Sequence, residues 1–265
     1  MIREIEEKLA RSLTAETTEL IPFFPYLLQD FWEMGSSPKD MIELMKKHMP
    51  ILENTKILDL ACGKGAVSVN VAKSLNVNVY GFDLIPDFIK YAQQKAAQLD
   101  VESLCHFVAG DVNEVVKKEK NYDCVIFGAA GNILGNPQET LSKLSQTVKP
   151  QGYILIDEAY LPDDSSNDEV KYKNYEYLTR ERWLHLFKDS GLKLVDEVLS
   201  TEAYNFDSDN KAIAARAEEL IAKYPEKRAM FEGYVQSQLN ECDDLTNSVV
   251  PVTWVLQKDS IVIPP

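Results

Sequence analysis

From Thr55 onward, short β-branched runs alternate with segments of helical length and period, and this alternation restricts the possible folds more than any other feature of the chain. Strands that alternate with crossover helices build a parallel sheet covered on both faces, so each run is apolar nearly throughout. Five runs have this character: KILDL (56 to 60), VNVYGF (77 to 82), LCHFVA (104 to 109), DCVIFG (123 to 128) and YILIDE (153 to 158). Between them, Ile85, Phe88, Ile89, Ala92, Ala96 and Leu99 share one helical face behind a first-turn Pro86, which predicts a helix over 86 to 99. Leu141, Leu144 and Val148 mark another that begins near Pro137. Thr179 as N-cap and Gly191 as stop bracket a third, with Trp183, Leu184 and Phe187 turned inward.

The C-terminal part breaks the alternation. LKLVDEVLS (192 to 200) has strand character, yet the next β-rich run, VVPVTWVLQK (249 to 258), follows only after two helical segments divided at Pro225. Their regular apolar faces, led by Ile213, Leu220 and Ile221 and then by Phe231, Tyr234 and Val235, predict a helical insertion over about 205 to 246. Residues 1 to 53 are also helical and are expected to form an N-terminal cap on a main domain of 54 to 265. Ile2, Ile5, Leu9 and Leu13 have amphipathic spacing, unlike a secretion signal.

With 28 basic and 42 acidic residues the net charge is -14, a sign that opposes polyanion binding and argues against a nucleic-acid partner. The most apolar stretch, 20 to 28, is broken by Pro22 and Pro25 and is too short to span a bilayer, so a soluble protein without a membrane partner is expected. Four dispersed cysteines (Cys62, Cys105, Cys124, Cys242) form neither a C-x-x-C pair nor a zinc-ligand pattern. A reducing cytoplasm and no bound metal are the corresponding expectations.

The chemistry is concentrated in ILDLACGKGAVS (57 to 68), where a buried strand ends in an acid and a small-residue turn opens a helix. Gly63 and Gly65 permit a tight bend and a close approach of ligand to backbone. Dinucleotide sites share this geometry, but their fingerprint needs a third glycine where this chain has Ser68, and it has no use for Asp59. Asp83 follows the second strand, 20 residues beyond Gly63, where a carboxylate can accept both ribose hydroxyls. Gly110, Asp111 and Val112 follow the third strand and supply a close-approach glycine, an acceptor for an adenine amine and an apolar wall.

Taken in order, these three segments resemble the first cofactor motifs of class I S-adenosylmethionine-dependent methyltransferases over roughly residues 50 to 200. Asp59, Ala61, Gly63 and Gly65 match the first motif, Asp83 and Leu84 the ribose-binding second, and Asp111 and Val112 the third. Gly128 and Ala129 fall where the family lines the methionine end of the pocket. Ala61 stands where the family usually has glycine. The resemblance implies a Rossmann-like, doubly wound α/β sheet of seven strands in the order 3-2-1-4-5-7-6, mostly parallel with the last strand antiparallel, and S-adenosyl-L-methionine as cofactor.

Such sheets bind ligands beyond the carboxyl ends of their strands. The aromatic segment Phe23, Phe24, Tyr26, Phe31 and Trp32, and the segment 157 to 177, are therefore candidates to roof the site. Methyl transfer from a sulfonium needs positioning more than a nucleophilic triad. Glu158 and Tyr160, just past the fifth strand, are the best-located candidates for a catalytic base. FGAAGNILGN after the fourth strand lacks the N/D-P-P-Y/F signature of base methylation. The expected activity is methyl transfer to a small-molecule acceptor. Two alternatives share these features: a protein that binds S-adenosylmethionine without transferring its methyl, and a nicotinamide-dependent oxidoreductase. The inserted helical pair offers either a lid or a homodimer surface.

Overall fold

A computed structural model of the protein describes residues 2–199 and 206–260. The strand end predicted at 200, the start of the insertion at 205 and both chain ends lie outside the described residues. In chain order the helices are α1 (Ile2–Ser12), α2 (Phe24–Leu27), α3 (Pro38–His48), α4 (Ala66–Leu75), α5 (Pro86–Gln98), α6 (Val112–Lys118), α7 (Pro137–Thr147), α8 (Arg180–Asp189), α9 (Phe206–Lys223) and α10 (Arg228–Asn247). The strands are β1 (Lys56–Leu60), β2 (Asn78–Asp83), β3 (Cys105–Ala109), β4 (Tyr122–Phe127), β5 (Val148–Tyr160), β6 (Leu192–Leu199) and β7 (Val250–Lys258).

All seven strands join one sheet in the order β3-β2-β1-β4-β5-β7-β6, with β7 antiparallel to both neighbours, as the family resemblance implies. Side chains alternate across the sheet and so feed two cores. Leu58, Val125, Ile154 and Trp254 pack under Val115 of α6, Leu141 of α7 and Trp183 of α8. On the opposite face, Ile57, Val79, Ile126 and Leu155 pack under Met41 of α3, Val71 of α4 and Ile89 of α5. In α8 the inward residues are Trp183, Leu186 and Phe187, whereas Leu184, predicted inward, is only half-buried.

Two expectations need correction. The fifth strand starts at Val148, not 153: Val148 pairs with Tyr122, the register then shifts, and Gln151 at φ 63° turns the chain before pairing resumes at Tyr153. The boundary at 53/54 does not separate a cap from a domain, because α3 belongs to the second core. Met41, Ile42, Leu44 and Met45 are all buried against the sheet face, each contributing about 1.5 to 3 kcal/mol.

The rest of the N-terminal segment and the insertion form one structure. Leu9, Phe24 and Leu27 pack with Ile213, Leu220, Phe231 and Tyr234, and this third core also takes in Ile85 and Phe88 at the start of α5. Asp30 pairs with Arg216 at 2.7 Å, and Lys227 with Glu19 at 2.8 Å, across the same contact. The joint cap thus meets the sheet at the carboxyl end of β2. No helix among the described residues is long and apolar enough to cross a membrane.

Candidate active site

Because odd and even residues of a strand face opposite ways, Asp59, Asp83 and Asp157 all emerge on the sheet face covered by α3, α4 and α5. Asp59 is 3% exposed and its Oδ2 accepts the hydroxyl of fully buried Ser68 at 2.6 Å. Burial drives its carboxyl up to about 7 against that hydrogen bond, with Asp83 and Asp157 adding to the rise. Ser68 is therefore more than a missing third glycine, since it supplies the donor that a buried acid requires.

Asp83 accepts the Gly63 amide on Oδ2 at 3.0 Å and the Ile85 amide on Oδ1 at 2.9 Å. Burial lifts it to about 6 despite those bonds. Each carboxylate oxygen has a second lone pair, so both remain able to accept a ribose hydroxyl. Three amides of the turn are already engaged: Gly63 gives its amide to Asp83, Cys62 to the Phe82 carbonyl and Gly65 to the Cys62 carbonyl. A turn so engaged is poorly suited to grip a pyrophosphate.

Ala61 keeps the turn by adopting a left-handed conformation, φ 59°, and Ala129 at the β4 tip does the same at φ 48°. Each costs about 1 to 2 kcal/mol relative to glycine-like freedom. Gly63 also lies left-handed, and a Cβ there would stand 2.5 Å from Met34 Cε. A Cβ on Gly128 would collide with Ser36 Oγ at 2.2 Å. The segment 34 to 36 thus lies directly over the β1 and β4 tips. Gly65 serves packing instead, its Cβ position being 2.7 Å from the Ala92 Cβ on α5.

The roof is pinned by a residue that the sequence did not single out. Lys64, 3% exposed, donates to the Leu28 carbonyl and, at 2.6 Å, to the Phe31 carbonyl, while its own carbonyl accepts the Trp32 indole at 3.1 Å. Burial lowers its ammonium to about 8, partly offset by Asp30. Its only sequence signal was a cation inside a small-residue turn. Of the aromatics predicted to roof the site, Trp32 makes direct contact with the turn, and Phe23 and Phe24 pack within the cap.

On the third strand's side, Val112 is buried and Asp111 caps α6, its Oδ1 accepting the Asn113 amide at 2.9 Å. A Cβ on Gly110 would meet nothing within 4 Å, so the backbone there is open to a planar ligand. Leu84 packs with the cap beside Ile85 and Phe88. Asp157 receives the Thr253 hydroxyl on Oδ1, but Oδ2, like the adjacent Ser36 Oγ, is buried without a hydrogen bond of good geometry. Burial takes Asp157 to about 6.

The two candidate bases separate. Glu158 accepts the Tyr175 hydroxyl at 2.8 Å, and burial raises its carboxyl to about 7. Tyr175 in turn lies 3.8 Å from a Cβ built on Gly131, which ties the pair to the β4 loop. Tyr160 instead stacks on Trp254, centroids 6.2 Å apart, near the Arg180–Glu197 ion pair. The segment after β5 is held by Asp244 of α10, whose carboxylate accepts the amides of Lys171 and Tyr172 at 2.9 and 2.7 Å.

Two buried carboxylates, Asp59 and Asp83, and half-buried Asp157, none with a cationic partner among the described residues, suit a ligand that is itself cationic. A sulfonium with an ammonium group meets that need, while the open edge at Gly110 and the free lone pairs of Asp83 suit an adenosine. The residues present therefore fit S-adenosylmethionine.

Comparison with known proteins agrees. A family profile described as a methyltransferase domain matches residues 51–213. An uncharacterized Escherichia coli protein, YjhP, is 28% identical over 156 residues, covering 56% of this chain and 61% of its own. Demethylmenaquinone methyltransferase of Lactiplantibacillus plantarum is 28% identical over 115 residues, covering 43% and 48%. The chain thus spans less than two thirds of these relatives. A Geobacter sulfurreducens S-adenosylmethionine-dependent methyltransferase solved with S-adenosyl-L-homocysteine shares the fold, with TM-score 0.72 at 20% identity over 88% of this chain and 96% of that one. With the profile covering more than half of the sequence, this chain belongs to the methyltransferase domain family.

Proposed function

We propose that the protein transfers a methyl group from S-adenosylmethionine to a small-molecule acceptor. The observation that carries this reading is the convergence of buried Asp59 and Asp83 with half-buried Asp157, whose Oδ2 is itself buried, all without ion-pair partners among the described residues, around a glycine turn whose Cys62, Gly63 and Gly65 amides are already engaged. Bound there, the cofactor supplies a methyl already activated on a sulfonium. Asp83 would hold the ribose, Gly110 to Val112 would flank the adenine, and Asp59 with Asp157 would face the positive groups, with Ser68 and Thr253 orienting the two acids. Met34 to Ser36 exclude water from above, and Lys64 anchors the chain leading into them at the Leu28 and Phe31 carbonyls. Glu158, close to half ionised near neutral pH, holds or takes the acceptor's proton. Tyr160 has no direct part in this scheme.

The joint cap of α1, α2, α9 and α10 is read as a lid, because its core takes in Leu84, Ile85 and Phe88 directly after Asp83. The negative charge supports a small acceptor over nucleic acid, and four free cysteines accord with a reducing cytoplasm. Titration calorimetry should give binding of S-adenosylmethionine and S-adenosylhomocysteine, and none of NADH. Tight NADH binding with no response to the sulfur compounds would refute the reading. Radiolabelled-methyl transfer to acceptor mixtures then distinguishes an enzyme from a binding protein.

A further inference from the structure

The Glu158–Tyr175 pair leads into a second group that the cofactor reading does not use. The Tyr175 ring lies 4.8 Å from Tyr177, and the Tyr172 hydroxyl donates at 3.3 Å to the Arg11 carbonyl, which also accepts the Thr14 amide. Tyr234, 2% exposed, has a buried hydroxyl with no hydrogen-bond partner and lies two turns before Glu241 on the same face of α10. Stranding a phenol in this way is unfavourable unless something else bonds to it. Glu241 is bound by the Thr14 hydroxyl, and neither it nor Glu158 has an ion-pair partner among the described residues. The nearby cations are turned elsewhere: Lys171 pairs with Asp243 at 2.6 Å, Arg180 pairs with Glu197 at 2.8 Å, and Arg11 is exposed.

We propose that this group of two carboxylates and four tyrosines binds the methyl acceptor as an organic cation, an amine in its ammonium form. The inference rests on the methyltransferase reading and names its substrate class. An ammonium compensates both acids and lies against tyrosine faces, which attract cations. An alcohol leaves the acids uncompensated, and a carboxylate adds a further negative charge to a poorly solvated place that already holds Glu158, Glu241 and the buried, amide-bound Asp244. An ammonium has no lone pair, so one proton must leave before methylation. The Glu158 carboxylate takes that proton, and the N–H electron pair stays on nitrogen as the lone pair the reaction requires. The Tyr234 hydroxyl finds its missing partner in the same ligand.

The test is calorimetry on protein saturated with S-adenosylhomocysteine, with 2-phenylethylamine, 2-phenylethanol and 3-phenylpropionate as probes that share a ring and differ in charge. The amine should bind at least tenfold tighter than the alcohol, with the acid weakest. Glu241→Gln should weaken the amine at least fivefold while leaving the alcohol and S-adenosylhomocysteine within twofold. Tyr234→Phe should weaken the amine at least threefold with no loss of Tm, which keeps the test decisive if the first variant does not fold. Undetectable amine binding, alcohol or acid affinity equal to that of the amine, or indifference of a folded Glu241→Gln protein would overturn the proposal. Failure of S-adenosylhomocysteine to bind is a separate outcome, which removes the methyltransferase reading and this inference together.

Discussion

The carboxylates at the strand tips make cofactor affinity depend on pH in a definite direction. Asp59 titrates at about 7 in the ligand-free protein because it is buried and flanked by two more acids. A cationic ligand binds the ionised form, so binding must first remove whatever proton Asp59 holds. With the carboxyl at about 7, the ionised fraction rises roughly 15-fold between pH 5.5 and 7.0, and S-adenosylmethionine affinity should rise by the same factor. Asp83, at about 6, adds roughly a further fourfold over that interval. Stopping at pH 7.0 keeps Lys64, at about 8, charged throughout. Ligand-free stability runs the opposite way. The folded-state value of Asp59 is raised, so its contribution is complete below 3.8 and is lost as pH rises toward 7, a change of about 4 kcal/mol. Calorimetry in buffers of differing ionisation heat counts the protons released, and thermal melts follow the stability. An affinity that is flat or falls from pH 5.5 to 7.0 would refute the reasoning.

Three substitutions examine other parts of the site. Asp83→Ala should weaken S-adenosylhomocysteine binding by about 1 to 3 kcal/mol by calorimetry while the circular dichroism spectrum stays native. Ala61→Gly should stabilise the protein by roughly 0.5 to 1 kcal/mol in urea unfolding, since relief of the left-handed alanine, about 1 to 2 kcal/mol, exceeds the entropy that glycine adds to the unfolded chain. A loss of stability would mean that the turn is built differently. Glu158→Gln should lower turnover on the identified acceptor about 100-fold with cofactor affinity unchanged, and full activity would remove Glu158 from the mechanism.

What the sequence revealed follows from which signals are periodic. Buried parallel strands are apolar throughout, so KILDL or DCVIFG announced themselves, and Asp59 and Asp83 stood out as acids closing such runs. The helical character of α9 was legible because Ile213, Leu220 and Ile221 keep one face. Contacts that depend on distant segments were not. Nothing local marks Asp244 as the anchor for Lys171 and Tyr172, 72 to 73 residues away, because an acid in a helix usually faces solvent. The same holds for Met34 above Gly63 and for Lys64 beneath the Phe31 carbonyl, where a loop residue is covered by a segment about 30 residues away in the chain. The early start of β5 was hidden by Pro150 and Gly152, which break the strand pattern without ending the strand.

A crystal structure with S-adenosylhomocysteine tests the central claim most directly. The account predicts the ribose on Asp83, the adenine between Gly110 and Val112, and the amino acid end beneath Met34 to Ser36 beside Asp59 and Asp157. Ligand density bound elsewhere, or an adenosine that leaves Asp83 untouched, would contradict it.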